Sequence, residues 1–211
     1  MDVCLAWLAL IILSPVMLLI AIFIKLDSPG PVLFRQKRVG ARLARAGGAL
    51  RWDICHFYVL KFRSMVHNAD ESLHQAHVKA FVHGQLPSTN GEQAPFKLND
   101  DPRITRVGRW LRTSSLDELP QLFNVLRGEM SLVGPRPVPI YETANYEVWH
   151  RERLCAWPGI TGLWQVMGRS RLSFDEMVRL DIEYARSQSL ALDIKILFLT
   201  IPAVLSGRGA G

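Results

Sequence analysis

VCLAWLALIILSPVMLLIAIFI, residues 3–24, is the stretch on which the reading of this chain turns. Twenty of its twenty-two residues are apolar, and the exceptions, Ser14 and Pro15, stand together at its middle. As one helix the run would measure about 33 Å, enough to cross the hydrocarbon core of a bilayer. Pro15 opposes a straight crossing. It has no N–H and its ring clashes with the carbonyl of Ile11, so a break or bend is expected there. Ser14 can satisfy a freed carbonyl with its hydroxyl. The halves on either side are too short to span alone. The run therefore reads as a kinked spanning helix, or as one that enters, turns at Ser14-Pro15 and leaves by the same face. A buried helix of a soluble core is the plainer alternative. A secretory leader fits poorly, because no basic residue precedes the run and Ser28-Pro29-Gly30-Pro31 is no small-residue cleavage site.

The whole chain has 211 residues, 49% of them hydrophobic, and a formal charge of +6. That size suits one domain plus an anchor, with apolar content too high for a disordered tail. Three cysteines, Cys4, Cys55 and Cys155, without C-x-x-C spacing, suit a reducing compartment and rule out a disulfide framework. Beyond the apolar run the charged fraction is about 23%, ordinary for a globular body. Lys25, Arg35, Lys37, Arg38, Arg42 and Arg45 follow the run at once, which places the body in the cytoplasm by the positive-inside rule. Excess positive charge implies an anionic partner: phosphates, a membrane or nucleic acid. The basic residues follow no groove-reading or base-stacking pattern, so nucleic acid is disfavoured.

Within the body, Val32–Phe34 and Trp52–Phe62 read as two strands of a hairpin with a loop at Gly40–Gly48. Helices are expected at Ala69–Val82, Arg103–Leu111, Leu116–Leu126, Tyr141–Leu154, Phe174–Ser187 and Leu192–Leu205. Residues 84–101 and 130–139 read as loops. The fold class is mainly α (α+β), with a small β-hairpin.

Ser115-Leu116-Asp117-Glu118-Leu119-Pro120-Gln121 is the most informative stretch for chemistry. Leu116, Leu119, Leu122, Phe123 and Leu126 form an apolar stripe at helical spacing and leave Asp117, Gln121 and Asn124 on another face. Ser115 and Glu118 have capping-box spacing, so helix capping is one reading of the acidic pair. The other is a carboxylate nucleophile with an adjacent metal-binding or assisting carboxylate. Arg103, Arg106, Arg109 and Arg112 lie just upstream. Their three-residue spacing spreads them around a helix, and Arg112 is the one nearest the acidic pair for gripping phosphate. In Gly134-Pro135-Arg136-Pro137 two prolines stiffen the backbone around an arginine, as a phosphate clamp requires. Lys61-Phe62-Arg63-Ser64-Met65 reads as a strand end, with a basic exposed edge as its plain interpretation. His74 and His77 have no third ligand at metal spacing and read as surface histidines. No P-loop and no G-x-G-x-x-G occurs.

These motifs together are recognisable. The chain resembles the bacterial sugar transferases, monotopic polyprenyl-phosphate phosphoglycosyl transferases, from about residue 3 to Gly209. The resemblance rests on the run broken at Ser14-Pro15, Ser28-Pro29-Gly30-Pro31 with Arg35-Gln36, Lys61-Phe62-Arg63-Ser64-Met65 and Asp101-Pro102-Arg103-Ile104-Thr105. It continues through Ser115 to Asn124, Ser131-Leu132-Val133-Gly134-Pro135-Arg136-Pro137, Pro158-Gly159-Ile160-Thr161-Gly162 and Asp181-Ile182-Glu183-Tyr184. It implies a re-entrant membrane helix over residues 1–26 and a cytoplasmic catalytic domain over 27–211, at the bacterial inner membrane. It also implies transfer of a sugar 1-phosphate from a UDP-sugar to undecaprenyl phosphate, with release of UMP, as the first membrane step of exopolysaccharide, capsule or O-antigen synthesis.

In that family the Asp matching Asp117 is the nucleophile that forms an aspartyl phosphosugar. Glu118 matches its partner carboxylate, Mg²⁺ is required at this pair, and Lys61, Arg112, Arg136 and Asp181 match substrate-site positions. The partners implied are the UDP-sugar, undecaprenyl phosphate and membrane lipids, with homo-oligomerisation left open. Two departures stand out: the stretch from Gly40 to Lys61 is longer than the usual family hairpin, and the multi-spanning N-terminal region of longer members is absent. A non-catalytic membrane-surface scaffold that binds anionic lipids, with Asp117 and Glu118 as helix caps, is the competing expectation.

Overall fold

The computed structural model describes residues 1–86, 101–168 and 172–206, so most of the loop expected at 84–101 lies outside the described residues. Helix α1 (Asp2–Asp27) carries the apolar run and remains helical through Pro15. The helix is thus unbroken at Pro15, against expectation, and the reason is local. The Ile11 carbonyl, which Pro15 cannot pair, accepts a hydrogen bond from the Ser14 hydroxyl at 2.9 Å.

Ala6, Leu10, Ile20 and Ile24 form the buried stripe of α1. Ala6 and Leu10 pack on Phe57, Val59, Leu122, Val125 and Met130, while Ile20 and Ile24 pack on Phe62 and Leu111. The other faces stay open: Trp7, Ile11, Ile12, Leu18 and Leu19 are all more than half exposed. A core helix would be covered on all sides by its own domain, and α1 is covered on one stripe alone. Both ends of α1 are tied to the same body. The Asp2 carboxylate accepts from the Ser131 hydroxyl (2.5 Å), and Asp27 accepts from the Val107 N–H (3.0 Å). Arg63, buried rather than on an exposed edge, donates to the carbonyls of Ile24, Ser28, Pro29 and Pro31. It thereby satisfies carbonyls at and just beyond the C-terminus of α1.

Strands β1 (Leu33–Ala46) and β2 (Ala49–Phe62) pair antiparallel from Leu33↔Phe62 to Ala46↔Ala49. The loop expected at 40–48 is strand instead, and the reversal is confined to Gly47-Gly48. Both glycines have positive φ, +58° and +83°, the conformation that two-residue hairpin turns demand. Two short strands follow, β3 (Ser131–Val133) and β4 (Val138–Pro139), within the segment expected to be a loop. β4 adds to β1 through Arg38↔Pro139 and Val39↔Val138, and β3 pairs in parallel with β5 (Gly159–Thr161).

About half of the chain is helical. Helices α2 (Ser72–Val82) and α3 (Arg106–Thr113) start later than expected, the latter capped by the Thr105 hydroxyl. The helix expected over Leu116–Leu126 is divided at Pro120 into a 3-10 turn (Leu116–Glu118) and α4 (Gln121–Leu126). Tyr141–Leu154 is likewise two pieces, α5 (Ile140–Thr143) and a 3-10 helix (Trp149–Leu154). After α6 (Leu163–Met167), α7 (Phe174–Ser187) has the expected bounds and a Ser173–Glu176 capping box. Finally α8 (Leu190–Leu205) buries Ile196 and leaves Phe198 and Ile201 exposed. Leu132 of β3 packs in both the α1 and the α8 clusters, so the two apolar helices meet at that strand.

Candidate active site

The acidic pair sits where α3 ends. Ser115 adopts a left-handed conformation (φ +57°) that turns the chain into the 3-10 segment, and its side chain caps nothing. The capping box expected from Ser115 and Glu118 therefore does not form. Glu118 Oε1 instead accepts from Lys61 Nζ at 2.7 Å and from Arg136 Nη1 at 3.2 Å. These partners come from the end of β2 and from the proline-flanked turn before β4. Asp117, next to Glu118, is buried. Burial pulls the Lys61 ammonium and the Arg112 guanidinium below their usual pKa values; Glu118 opposes that shift at Lys61, and Asp117 opposes it at Arg112. Lys61, Arg136 and the acidic pair thus come together, and Arg112 lies near enough to feel the charge of Asp117.

Asp181 has a different setting. It is fully buried on α7, and one carboxylate oxygen accepts from Arg153 Nε (3.0 Å) and Nη2 (2.5 Å). Burial pushes its pKa up to about 6 against the opposing pull of Arg153. Arg136 is among the charges that act on it, so Asp181 couples to the site through its field and its hydrogen bonds go to Arg153.

Two residues here carried no site role in the sequence reading. Asn124, fully buried in α4, accepts from the Leu60 N–H (3.0 Å) and donates to the Tyr58 carbonyl (2.8 Å) and the Glu129 carboxylate (2.6 Å). It pins α4 to β2 at the residue before Lys61. Its place beside Asp117 and Gln121 on the polar face was the available signal. Arg38, grouped above with the basic residues that follow the membrane run, faces inward from β1. With Lys61, Gln121 and Arg136 it lines a narrow cavity closed by Val59 and Ile160.

Close backbone approach seats the Arg136 turn. A Cβ on Gly134 would stand 2.1 Å from the Trp157 carbonyl oxygen, so only glycine fits there. The Gly134 N–H donates to the Thr161 carbonyl (2.9 Å), and the Gly159 N–H to the Pro135 carbonyl (2.8 Å).

No group of three or more His, Cys, Asp and Glu side chains at metal-binding distance occurs among the described residues. Asp117 and Glu118 offer hard carboxylate oxygens. One or two such groups are what Mg²⁺ takes from a protein when phosphate and water complete its shell. The donor set fits that ion. Lys61 and Arg136 reach Glu118 directly, while Arg38 and Arg112 feel the charges of Glu118 and Asp117 respectively, so the pair is held in a cationic setting suited to an anionic ligand.

Residues 1–207 match the family model for bacterial sugar transferases, and the chain belongs to that family. It is 46% identical over 182 residues to the galactosyl transferase CpsE of Streptococcus agalactiae, covering 86% of this chain and 36% of the relative. It is 41% identical to the exopolysaccharide production protein ExoY of Sinorhizobium fredii, covering 99% and 85%. It is also 41% identical to the UDP-glucose:undecaprenyl-phosphate glucose-1-phosphate transferase of Xanthomonas campestris, covering 99% and 39%. The chain thus spans less than half the length of two of these relatives and most of the third.

Proposed function

We propose that this chain transfers a sugar 1-phosphate from a UDP-sugar to undecaprenyl phosphate, through a covalent phosphosugar on Asp117. The observation that carries the reading is the convergence of Lys61 and Arg136 on Glu118, beside the buried Asp117 and within reach of the charge of Arg112. A carboxylate that attacks a diphosphate meets an anion, so cations must first lower the repulsion. An Asp117 oxygen attacks the sugar-bearing phosphorus; a P–O bond forms as the bond to the bridging oxygen breaks, and UMP leaves with the electron pair. An oxygen of the lipid phosphate then attacks the same phosphorus and frees the Asp117 carboxylate. Two displacements at one site replace one difficult step. Asp117 and Glu118 would hold Mg²⁺, which supplies charge neutralisation at the diphosphate when bound. Lys61 and Arg136 orient Glu118, and Arg112 faces the charge of the attacking group. The relatives named above include one whose name states UDP-glucose and undecaprenyl phosphate, which supports both substrates.

The membrane seat in this reading is α1, with residues 1–26 held in one leaflet and 27–211 on the cytoplasmic side of the inner membrane. Support comes from the uncovered apolar faces of α1 and from the hydrogen bonds that tie Asp2 and Asp27 to the same body. A spanning helix would carry one of those ends to the far side of the bilayer, about 30 Å away. The deciding experiment incubates the purified protein with UDP-sugars and Mg²⁺, then maps a hexose-phosphate adduct by intact mass and peptide analysis. An adduct on Asp117 with one equivalent of UMP is expected from UDP-sugar alone, and continued UMP release once lipid phosphate is added. No adduct, and no UMP from any UDP-sugar, would sink the reading.

A further inference from the structure

Arg38 shares its cavity with Lys61 and Arg136 but, unlike them, has no part in the reaction proposed for Asp117 and Glu118. Arg38 alternates along β1 with Lys37, which points to solvent, and its own side chain turns in toward Arg136. Two of its three nitrogens donate within the protein. Nη1 donates to the Pro137 carbonyl at 3.1 Å, and Nη2 donates to Gln36 Oε1 at 2.5 Å. Both acceptors are neutral. The third donor, Nε–H, is buried and has no acceptor among the described residues. Buried donors are almost always paired, and an unpaired one calls for an explanation such as a ligand.

The surroundings say what kind of ligand. Burial, and after it the neighbouring Arg136 charge, pulls the Arg38 pKa down to about 10, a fall that Tyr141, Glu142 and Glu118 offset only in part. The cavity that it lines also holds Lys61 and Arg136. The space, about 10 Å³, admits one oxygen-sized group, and with only Glu118 shared between Lys61 and Arg136 the three cations favour an oxygen that carries negative charge. Gln36 and Pro137 meanwhile hold the guanidinium at two points, which fixes the direction of the Nε–H in advance.

We infer that Arg38 is a further phosphate-binding residue of this site, its Nε–H donating to a phosphoryl oxygen of the nucleoside diphosphate in the cavity shared with Lys61 and Arg136. The identity of that diphosphate rests on the function proposed above. Through Nη1 the same side chain also steadies the turn that carries Arg136.

Equilibrium binding of UDP, which keeps both phosphates, tests the assignment on detergent-solubilised wild type and the variants Arg38→Ala, Arg38→Lys and Lys37→Ala. Wild type and Lys37→Ala should bind alike. Arg38→Ala should bind about ten-fold more weakly or worse, the loss of one charge-assisted hydrogen bond to phosphate. Arg38→Lys keeps the charge without the fixed donor and should lose about five-fold or more; it decides the matter if Arg38→Ala does not fold. Arg38 variants that bind UDP as tightly as Lys37→Ala, with only turnover reduced, would show a brace for the Arg136 turn and overturn the phosphate assignment alone. A wild type that neither binds UDP nor releases UMP from any UDP-sugar would overturn the proposed function, and this assignment with it.

Discussion

Lys61 Nζ lies 2.7 Å from Glu118 Oε1, joining the end of β2 to the 3-10 turn that carries the acidic pair. Each side chain of this pair is only 17% exposed, so the charges face each other with little intervening water. Lys61→Ala removes a preorganised cation and should lower kcat/KM by about 100- to 1000-fold. Lys61→Arg, which restores a cation with a different reach, should recover part of the loss. UMP release under steady-state conditions measures both, and a Lys61→Ala enzyme of normal activity would rule out this role.

Asp117→Asn removes the proposed nucleophile while keeping its shape. Transfer should fall by about 1000-fold or more, and the phosphosugar adduct should disappear from the intact mass. The scaffold alternative predicts lipid binding without turnover in wild type and variant alike. Thermal melting of the purified variant should match wild type, which separates lost chemistry from lost fold.

Asn124→Leu fills similar space but leaves the Leu60 N–H and the Tyr58 carbonyl without their side-chain partner. A cost of about 2–4 kcal/mol is expected from the two unpaired groups, read as a lower midpoint in denaturant. Because Leu60 precedes Lys61, activity should fall further than the unfolded fraction explains. A midpoint unchanged from wild type would show that the Asn124 bonds contribute nothing net.

His74 accepts or donates to the Tyr141 hydroxyl at 2.6 Å through Nδ1. Burial, helped by the charges of Arg38, His77, Arg103 and Arg112, depresses its pKa to about 4 from the ordinary 6.5. The folded state therefore resists a proton that the unfolded chain takes up. Its contribution to stability is fully present above pH 6.5 and is lost as pH falls from there through about 4. His74→Asn lacks this titration. Between pH 7.5 and 5 wild type should lose more Tm than the variant; parallel losses would contradict the assignment.

The open face of α1 gives a prediction about solubility. Ile12 and Leu18 are each 64% exposed, and replacing both by Lys removes apolar area from that face without touching the buried stripe. Retention on liposomes should drop while thermal stability in detergent stays near wild type. Retention equal to wild type would place the membrane contact elsewhere.

Several parts of this molecule could be read from the chain alone because their causes are local. The apolar run, its Ser14-Pro15 pair and the bounds of α7 with its Ser173–Glu176 cap follow from neighbours within one helical turn. The Gly47-Gly48 turn was equally local, although its two glycines were absorbed into a longer expected loop. The motifs around Asp117 and Arg136 likewise pointed to the family. What the spacing could not settle was the use of Glu118, since Ser115-x-x-Glu118 suits a capping box as well as a catalytic pair. Only the tertiary structure excluded the box, by leaving Ser115 without a cap bond and bringing Lys61 and Arg136 onto Glu118. Lys61 is 57 residues away from Glu118 in sequence, and its approach depends on the Asn124 bonds between α4 and β2. Arg38 was hidden for the same reason. A guanidinium on a strand becomes a ligand-facing group only when β4 and the Pro137 carbonyl close over it, and no local pattern of charge or hydropathy records that contact.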